Sequence, residues 1–426
     1  MGKNIIYYGP PGTGKTYMMQ QLKSNYTVFN ISDEEIVNAY IDTSEEWLLI
    51  TLILLQGNNL MSSDKIQEKV DTLSIPSTHE LNKGVSSILN KHSTIISSMF
   101  TPEEPQVFTQ KDDKWFVALD NLLSYDYQFY KNYLLEESVK ERYKFVTFHQ
   151  SFVYEDFVEG IRPVIDDEDM AESGEIKYTV QPGVFKQLCN EALADSHNRY
   201  AIFIDEINRG NISEIFGELI TLIEEDKRLE EVNQLMVNLP YSKEKFGVPE
   251  NIDIIGTMNS ADRSIALIDV ALRRRFEFIN TTFNLNLLSD KIKSFELEPT
   301  NIDGIDLVKL LEVINKRIEV LLDSNFVVGH AYFMNVRSFI DIREVIVSQI
   351  IPLLEEYFYD DLQKIQLILN DLDEDGEIKD DAIYRHEELE VAELFDFLGD
   401  YEFEDKRSYY TSNSIKKSSI IKVYSN

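Results

Sequence analysis

The sequence predicts an α/β fold: a parallel sheet sandwiched by helices, with a mostly helical insertion and a smaller all-α domain behind it. Three observations predict this. An apolar run at the start of the chain ends in a glycine-rich loop and passes into a helical stretch. Two further apolar runs, Tyr200–Ile204 and Ile252–Met258, have the length and composition of buried strands and end in polar clusters. From Leu285 onward the apolar spacing becomes helical.

Taken in order, the first strand is Ile5-Ile6-Tyr7-Tyr8. It runs into Gly9-Pro10-Pro11-Gly12-Thr13-Gly14-Lys15-Thr16, and a helix follows from Tyr17 to about Lys23. Residues 33 to about 140 carry no catalytic signature. They mix amphipathic patches (Glu45 to Leu55, Tyr125 to Leu135) with Asn-, Ser- and Pro-rich breaks, which reads as a mostly helical insertion. A strand returns at Tyr143–Phe148, followed by His149-Gln150-Ser151-Phe152 and the helix-like Tyr154-Glu155-Asp156-Phe157. Strand and helix then alternate to about residue 282. The expected division is a nucleotide-binding domain over 1–282 and a helical lid with its tail over 283–426, with periodic helices at Leu307–Leu322 and Ile340–Phe358. Asp166-Asp167-Glu168-Asp169 reads as a solvated loop. Asp371-Leu372-Asp373-Glu374-Asp375-Gly376 imitates the start of a calcium loop, yet Ala382 stands where a bidentate glutamate is needed, so an acidic turn is expected.

Composition excludes several classes. With 41 basic and 75 acidic residues, the net charge of −34 repels phosphate backbones, so nucleic acid is not gripped by this surface as a whole. No apolar stretch reaches the roughly 18 residues of a membrane span, and no secretory segment opens the chain, so a cytoplasmic location is expected. The single cysteine, Cys189, rules out an internal disulfide and a cysteine-based metal cluster, and reads as a small buried side chain.

The chemistry lies in four segments. Gly9 to Thr16 fits G-x-x-x-x-G-K-[ST] between a strand and a helix, the context that pattern demands. Its glycines let the backbone wrap phosphate oxygens, Lys15 neutralises β/γ charge, and Thr16 is a Mg²⁺ ligand. The run Tyr200–Ile204 ends in Asp205 and Glu206: Asp205 is placed for the Mg²⁺ shell, and Glu206 to orient or deprotonate water. The third strand ends in Asn259-Ser260-Ala261-Asp262-Arg263-Ser264, where the Asn259 amide can meet both the water and a γ-phosphate. Last come Arg273-Arg274-Arg275, too many guanidiniums for one carboxylate. One projecting outward could stabilise transition-state charge on a neighbouring subunit; a salt-bridged helix end is the plain alternative.

These residues resemble the McrB family of AAA+ proteins, the motor subunits of McrBC-type modification-dependent restriction systems. The resemblance rests on Gly9–Thr16, Phe148–Phe152 with Tyr154–Gly160, Asp205–Arg209 through Leu219, Gly256–Ser264, Ala271–Phe276, Val328-Gly329-His330-Ala331-Tyr332-Phe333 and Ile351–Phe358, spanning roughly 1–30 and 143–370. It implies a hexameric homo-oligomeric ring that uses GTP and is stimulated by a McrC-like nuclease subunit. It also implies that Gly9, Pro10, Pro11, Gly12, Thr13, Gly14, Lys15, Thr16 and His330 bind nucleotide, with Thr16 and Asp205 at Mg²⁺. Glu206, Asn259 and Asp262 then serve catalysis, and Arg273 and Arg274 are trans-acting fingers. Family members place a DNA-reading domain before the phosphate loop, so DNA is expected to be reached through a partner or a missing amino-terminal domain. The guanine signature Asn-Lys-x-Asp is absent, so ATP stays open. So do an ATP-dependent protein remodeller and a nucleotide-gated scaffold with little turnover.

Overall fold

The computed structural model describes residues 2–57, 59–75, 81, 83–95, 100–111, 113–119, 121–122, 139–163, 177–262, 270–394 and 404–425. The helical patch expected at 125–135, the acidic run at 166–169 and residues 263–264 lie outside them. The strands in chain order are β1 (Asn4–Gly9), β2 (Thr27–Phe29), β3 (Phe108–Lys111), β4 (Lys114–Val117), β5 (Val139–Glu141), β6 (Tyr143–Thr147), β7 (Glu159–Pro163), β8 (Tyr178–Pro182), β9 (Tyr200–Asp205), β10 (Val237–Asn238), β11 (Lys245–Phe246), β12 (Ile252–Asn259), β13 (Glu277–Asn280), β14 (Tyr384–Leu389) and β15 (Lys406–Thr411).

Five of them make one sheet in the order β13-β1-β12-β9-β6, every neighbouring pair parallel. Parallel sheets are covered on both faces, which is why β9 and β12 are apolar without alternation and buried from Tyr200 to Ile204 and from Ile252 to Thr257. Ile202, Ile204 and Ile254 pack with Phe157, Phe185 and Phe216 in one cluster. Ala201, Phe203 and Ile255 pack with Met19 and Tyr26 in another. Register then decides the function. Gly9 pairs with Asn259, and Thr147 with Asp205, so the polar strand ends line up along one edge of the sheet.

Helix α1 (Lys15–Lys23) leads back to the sheet's far side, and the chain then leaves the sheet for the insertion. The antiparallel pairing of β2 with β5 closes the insertion at its base. Helix α2 (Asp33–Thr43) starts with a capping box: Ser32 Oγ accepts the Glu35 amide at 3.2 Å, and the Glu35 carboxylate accepts the Ser32 amide at 2.6 Å. Helix α3 (Glu46–Gln56) is buried continuously from Trp47 to Leu55, which makes it the insertion's central helix. Helix α4 (Ser63–Thr72) and the β3–β4 hairpin belong to the same core as α3.

The lid begins with helices at Leu285–Lys293, Leu307–Leu321, Phe339–Val345, Ile351–Tyr357 and Gln363–Ile368, packed around Leu310, Ile314, Ile350, Leu354 and Ile365. The all-α expectation fails beyond them, where β14 and β15 pair antiparallel. Both strands are charge-rich and carry no apolar alternation. They are held by cross-strand contacts, Tyr384 stacked on Tyr409 at 5.7 Å and Arg407 on Glu388 at 2.8 Å. The expected acidic turn is half right. Asp373 accepts amides within the turn, whereas Asp371 is fully buried and accepts the Ile383 and Tyr384 amides and the Lys422 ammonium. No helix among the described residues is long and apolar enough to cross a membrane.

Candidate nucleotide site

The phosphate loop leaves β1 at Gly9, where a Cβ would lie 2.1 Å from the Thr281 carbonyl oxygen. Gly12 and Gly14 have φ of +73° and +82°, left-handed values that side chains resist. Thr13 Oγ1 donates to the Pro10 carbonyl at 2.9 Å and so tightens the loop. Lys15 folds back over it, donating from Nζ to the Gly9 and Pro10 carbonyls at 2.8 and 2.7 Å. Burial pulls its pKa down to about 8, against the opposing charges of Glu206 and Asp205. These are weak substitutes for an anion, and a phosphate would displace them.

Asp205 sits opposite: its Oδ1 lies 3.5 Å from Thr16 Oγ1 and accepts the Thr257 hydroxyl. A hydroxyl and a carboxylate aimed at each other fit Mg²⁺, which takes one or two protein oxygens and fills its shell with phosphate and water. Glu206 follows in the left-handed region at φ +53°, a conformation that costs a non-glycine residue free energy and gathers at functional turns. Its amide donates to Thr257 Oγ1 at 3.3 Å, and its carboxylate meets Arg209 Nε at 3.2 Å. Arg209 continues to Asp262 at 3.5 Å, which makes a Glu206–Arg209–Asp262 chain. Asn259 Oδ1 accepts the Ala261 amide at 3.2 Å; its Nδ2 has no protein partner among the described residues. Sequence reasoning missed Thr257 and gave Arg209 no role. The signal for Thr257 was a hydroxyl inside the apolar run of β12.

The lid closes on the same loop. Gly329 donates its amide to the Pro11 carbonyl at 3.1 Å, and Ala331 to the Gly12 carbonyl at 2.9 Å. Gly329 and Gly12 approach so closely that a Cβ on Gly329 would lie 1.9 Å from the Gly12 carbonyl carbon. His330, between these two donors, is buried beside Gly14.

The three arginines separate. Arg275 is 5% exposed at its side chain and pairs with Glu224 at 2.7 Å, while its carbonyl accepts from Asn4 Nδ2 at 2.9 Å. Arg274 is 69% exposed, with Glu224 at 3.8 Å. Arg273 lies over the Phe278 ring at 5.6 Å. Arg274 and Arg275 are thus at the amino end of β1, about 17 Å from the phosphate loop at ~3.3 Å per residue. An arginine side chain does not span that distance.

Two family models match the chain: AAA domain (dynein-related subfamily) over residues 132–276, and McrB, alpha-helical lid domain, over 306–366. The chain is 36% identical over 252 residues to the Type IV methyl-directed restriction enzyme EcoKMcrB subunit of Escherichia coli (strain K12), covering 56% of this chain and 52% of that protein. It is 27% identical over 158 residues to the Type II restriction enzyme BsuMI component YdiS of Bacillus subtilis (strain 168), covering 31% and 46%. It is also 44% identical over 43 residues to the Peroxisomal ATPase PEX6 of Saccharomyces cerevisiae, covering 10% and 4%. The chain thus spans about half the length of the two restriction-system relatives. A phosphate loop on a five-stranded parallel sheet, an AAA domain match and a match to the McrB lid in one polypeptide are features this chain shares with the McrB family of AAA+ proteins.

Proposed function

We propose that this chain hydrolyses GTP in preference to ATP as the ring-forming motor of a restriction system, working with a McrC-like nuclease subunit. The observation that carries the nucleotidase part is the register of the sheet, which sets Gly9, Asp205 and Asn259 along one edge. In this reading Lys15 leaves the Gly9 and Pro10 carbonyls for β/γ oxygens, and the loop amides cradle the rest. Thr16 and Asp205 hold Mg²⁺, which supplies charge compensation. Glu206 orients and deprotonates water, and Asn259 Nδ2 holds water and γ-phosphate in line. Asp262, through Arg209, fixes the Glu206 carboxylate. Arg274, with Arg273 beside it, is the arginine offered to the next subunit, because its own phosphate loop is out of reach. The relatives' names support the restriction role, and the net charge of −34 favours DNA contact through a partner or another domain.

The test is a titration with labelled GTP and ATP, each with Mg²⁺, followed by turnover. GTP should be favoured at least about tenfold, ~1.4 kcal/mol, which one or two base-edge hydrogen bonds supply. Equal rates, or faster ATP turnover, would replace this reading with an ATP-dependent remodeller. Binding without turnover, even when assembled with a partner, would leave a nucleotide-gated scaffold.

A further inference from the structure

Strands β7 and β8 make a two-stranded antiparallel ribbon, and among the described residues neither pairs with a third strand. Its register sets Glu159 opposite Pro182, Ile161 opposite Val180 and Pro163 opposite Tyr178, so these six side chains share one face. At the root that face is covered. Glu159 is fully buried and accepts the Lys186 ammonium at 2.8 Å and the Tyr241 and Ser242 amides at 3.0 Å each. Two residues further out the cover ends: Ile161 is 56% exposed, Tyr178 65% and Val180 37%, with Pro163 exposed beside them. The opposite face carries Arg162, Thr179 and Gln181, and Arg162 pairs with Asp156. In an antiparallel sheet open to water on one side, the polar face is the one left to solvent. Here the apolar face is open as well, and a two-stranded ribbon is marginal until something covers it.

The surrounding charge narrows what that is. From Tyr154 to Pro182 the sequence holds nine acidic residues and two basic ones, a net charge of −7. A phosphate backbone is repelled there, and a second copy of this chain would set the same acidic segment against itself. We infer that the β7–β8 ribbon is the docking surface for a basic segment of a partner protein, taken up as an extended strand with apolar side chains at alternate positions and lysine or arginine at its ends. Paired to an edge of the ribbon, the alternate apolar side chains continue the Ile161–Val180 face, while main-chain bonds add affinity. The flanking cations meet the acidic surroundings. The inference stands apart from the nucleotide reading, because none of these residues belongs to the phosphate loop or to the carboxyl ends of β9 and β12.

Three fluorescein-labelled peptides test it by anisotropy with the purified full chain. The probe is Arg-Arg-Val-Thr-Val-Thr-Val-Arg-Arg; one control replaces each Val by Ser, and the other replaces each Arg by Glu. The probe should bind at least about tenfold more tightly than either control. The double variant Ile161→Ser, Val180→Ser should lose at least about tenfold of that affinity. It should keep wild-type nucleotide turnover and a thermal midpoint within about 2 °C of wild type. Equal binding of the serine control would reduce the contact to net charge, and undiminished binding by the double variant would put the contact elsewhere. Either result overturns the inference, as does tighter binding of a short duplex DNA than of the probe. If the double variant is unstable, the wild type decides: a probe with a photoreactive group at its central Val should label residues 159–163 or 178–182, and labelling confined to other segments overturns the inference. A chain that hydrolyses nucleotide but ignores all three peptides loses this inference and keeps the nucleotide reading.

Discussion

The five strands of the sheet end in opposite ways. At their amino ends the buried charges of Arg228 and Asp253 are matched by hydrogen bonds. Arg228, fully buried, donates to the Ile252 carbonyl, to Asn4 Oδ1 at 2.6 Å and to the Ile223 carbonyl at 3.3 Å. Asp253 accepts from the Lys3 amide, the Tyr26 hydroxyl and Arg199. At the carboxyl ends, a few residues along the same strands, the groups are half-matched. Lys15 rests on backbone carbonyls, and Asn259 Nδ2 donates to nothing among the described residues. The matched charges Arg228 and Asp253 hold the fold at one edge, while Lys15 and Asn259 at the other keep donors that a ligand can take over.

The comparison predicts that changes at one edge remove activity without stability, and at the other stability before activity. The largest effect falls on Glu206→Gln. Turnover should drop about 10³-fold, ~4 kcal/mol of barrier, with nucleotide still bound and the thermal midpoint unchanged. Wild-type turnover in single-cycle kinetics would remove Glu206 from catalysis. Next is Arg228→Met at the amino edge, which takes the guanidinium from the Asn4 side-chain oxygen and the Ile252 carbonyl, while the Ile223 carbonyl keeps Asn4 Nδ2 at 2.8 Å. Denaturant unfolding should show a loss of about 3 kcal/mol or more. A loss below about 1 kcal/mol would mean that this network is not what secures the edge. The smallest is Thr257→Val, which keeps the volume but removes the bridge between Asp205 and the Glu206 amide. It should cost about tenfold in turnover with little change in affinity. An equal loss in affinity would move Thr257 from positioning the carboxylates to holding the nucleotide.

The functional edge was more legible in the sequence than the structural one, for a physical reason. Phosphate chemistry imposes residue types and spacing over a few positions, so Gly9–Thr16, Asp205 and Asn259 announce themselves. The amino edge joins Asn4, Arg228 and Asp253 across more than 200 residues, and no local pattern records such a meeting. The lid's grip on Pro11 and Gly12 hides for the same reason, although the motif around Gly329 and His330 pointed to the nucleotide. The arginine run shows a third limit. Its spacing said that one side chain projects outward, but only the packing around Glu224 distinguishes the buried Arg275 from the exposed Arg274. The β14–β15 pair was missed because its strands are held by cross-strand contacts between charge-rich segments, which leave no periodic trace.

In the proposed function the carboxyl edge of one subunit is completed by an arginine from the amino edge of another. Mixing tests it directly. Arg274→Ala keeps Glu206 but donates no guanidinium, and Glu206→Gln keeps the arginine but cannot activate water. Each alone should turn over about 10³-fold more slowly than wild type. Mixed in equal amounts, they should recover activity far above the sum of the two, rising with protein concentration as subunits assemble. Flat turnover across the assembly range, with no recovery on mixing, would mean that the site is complete within one chain.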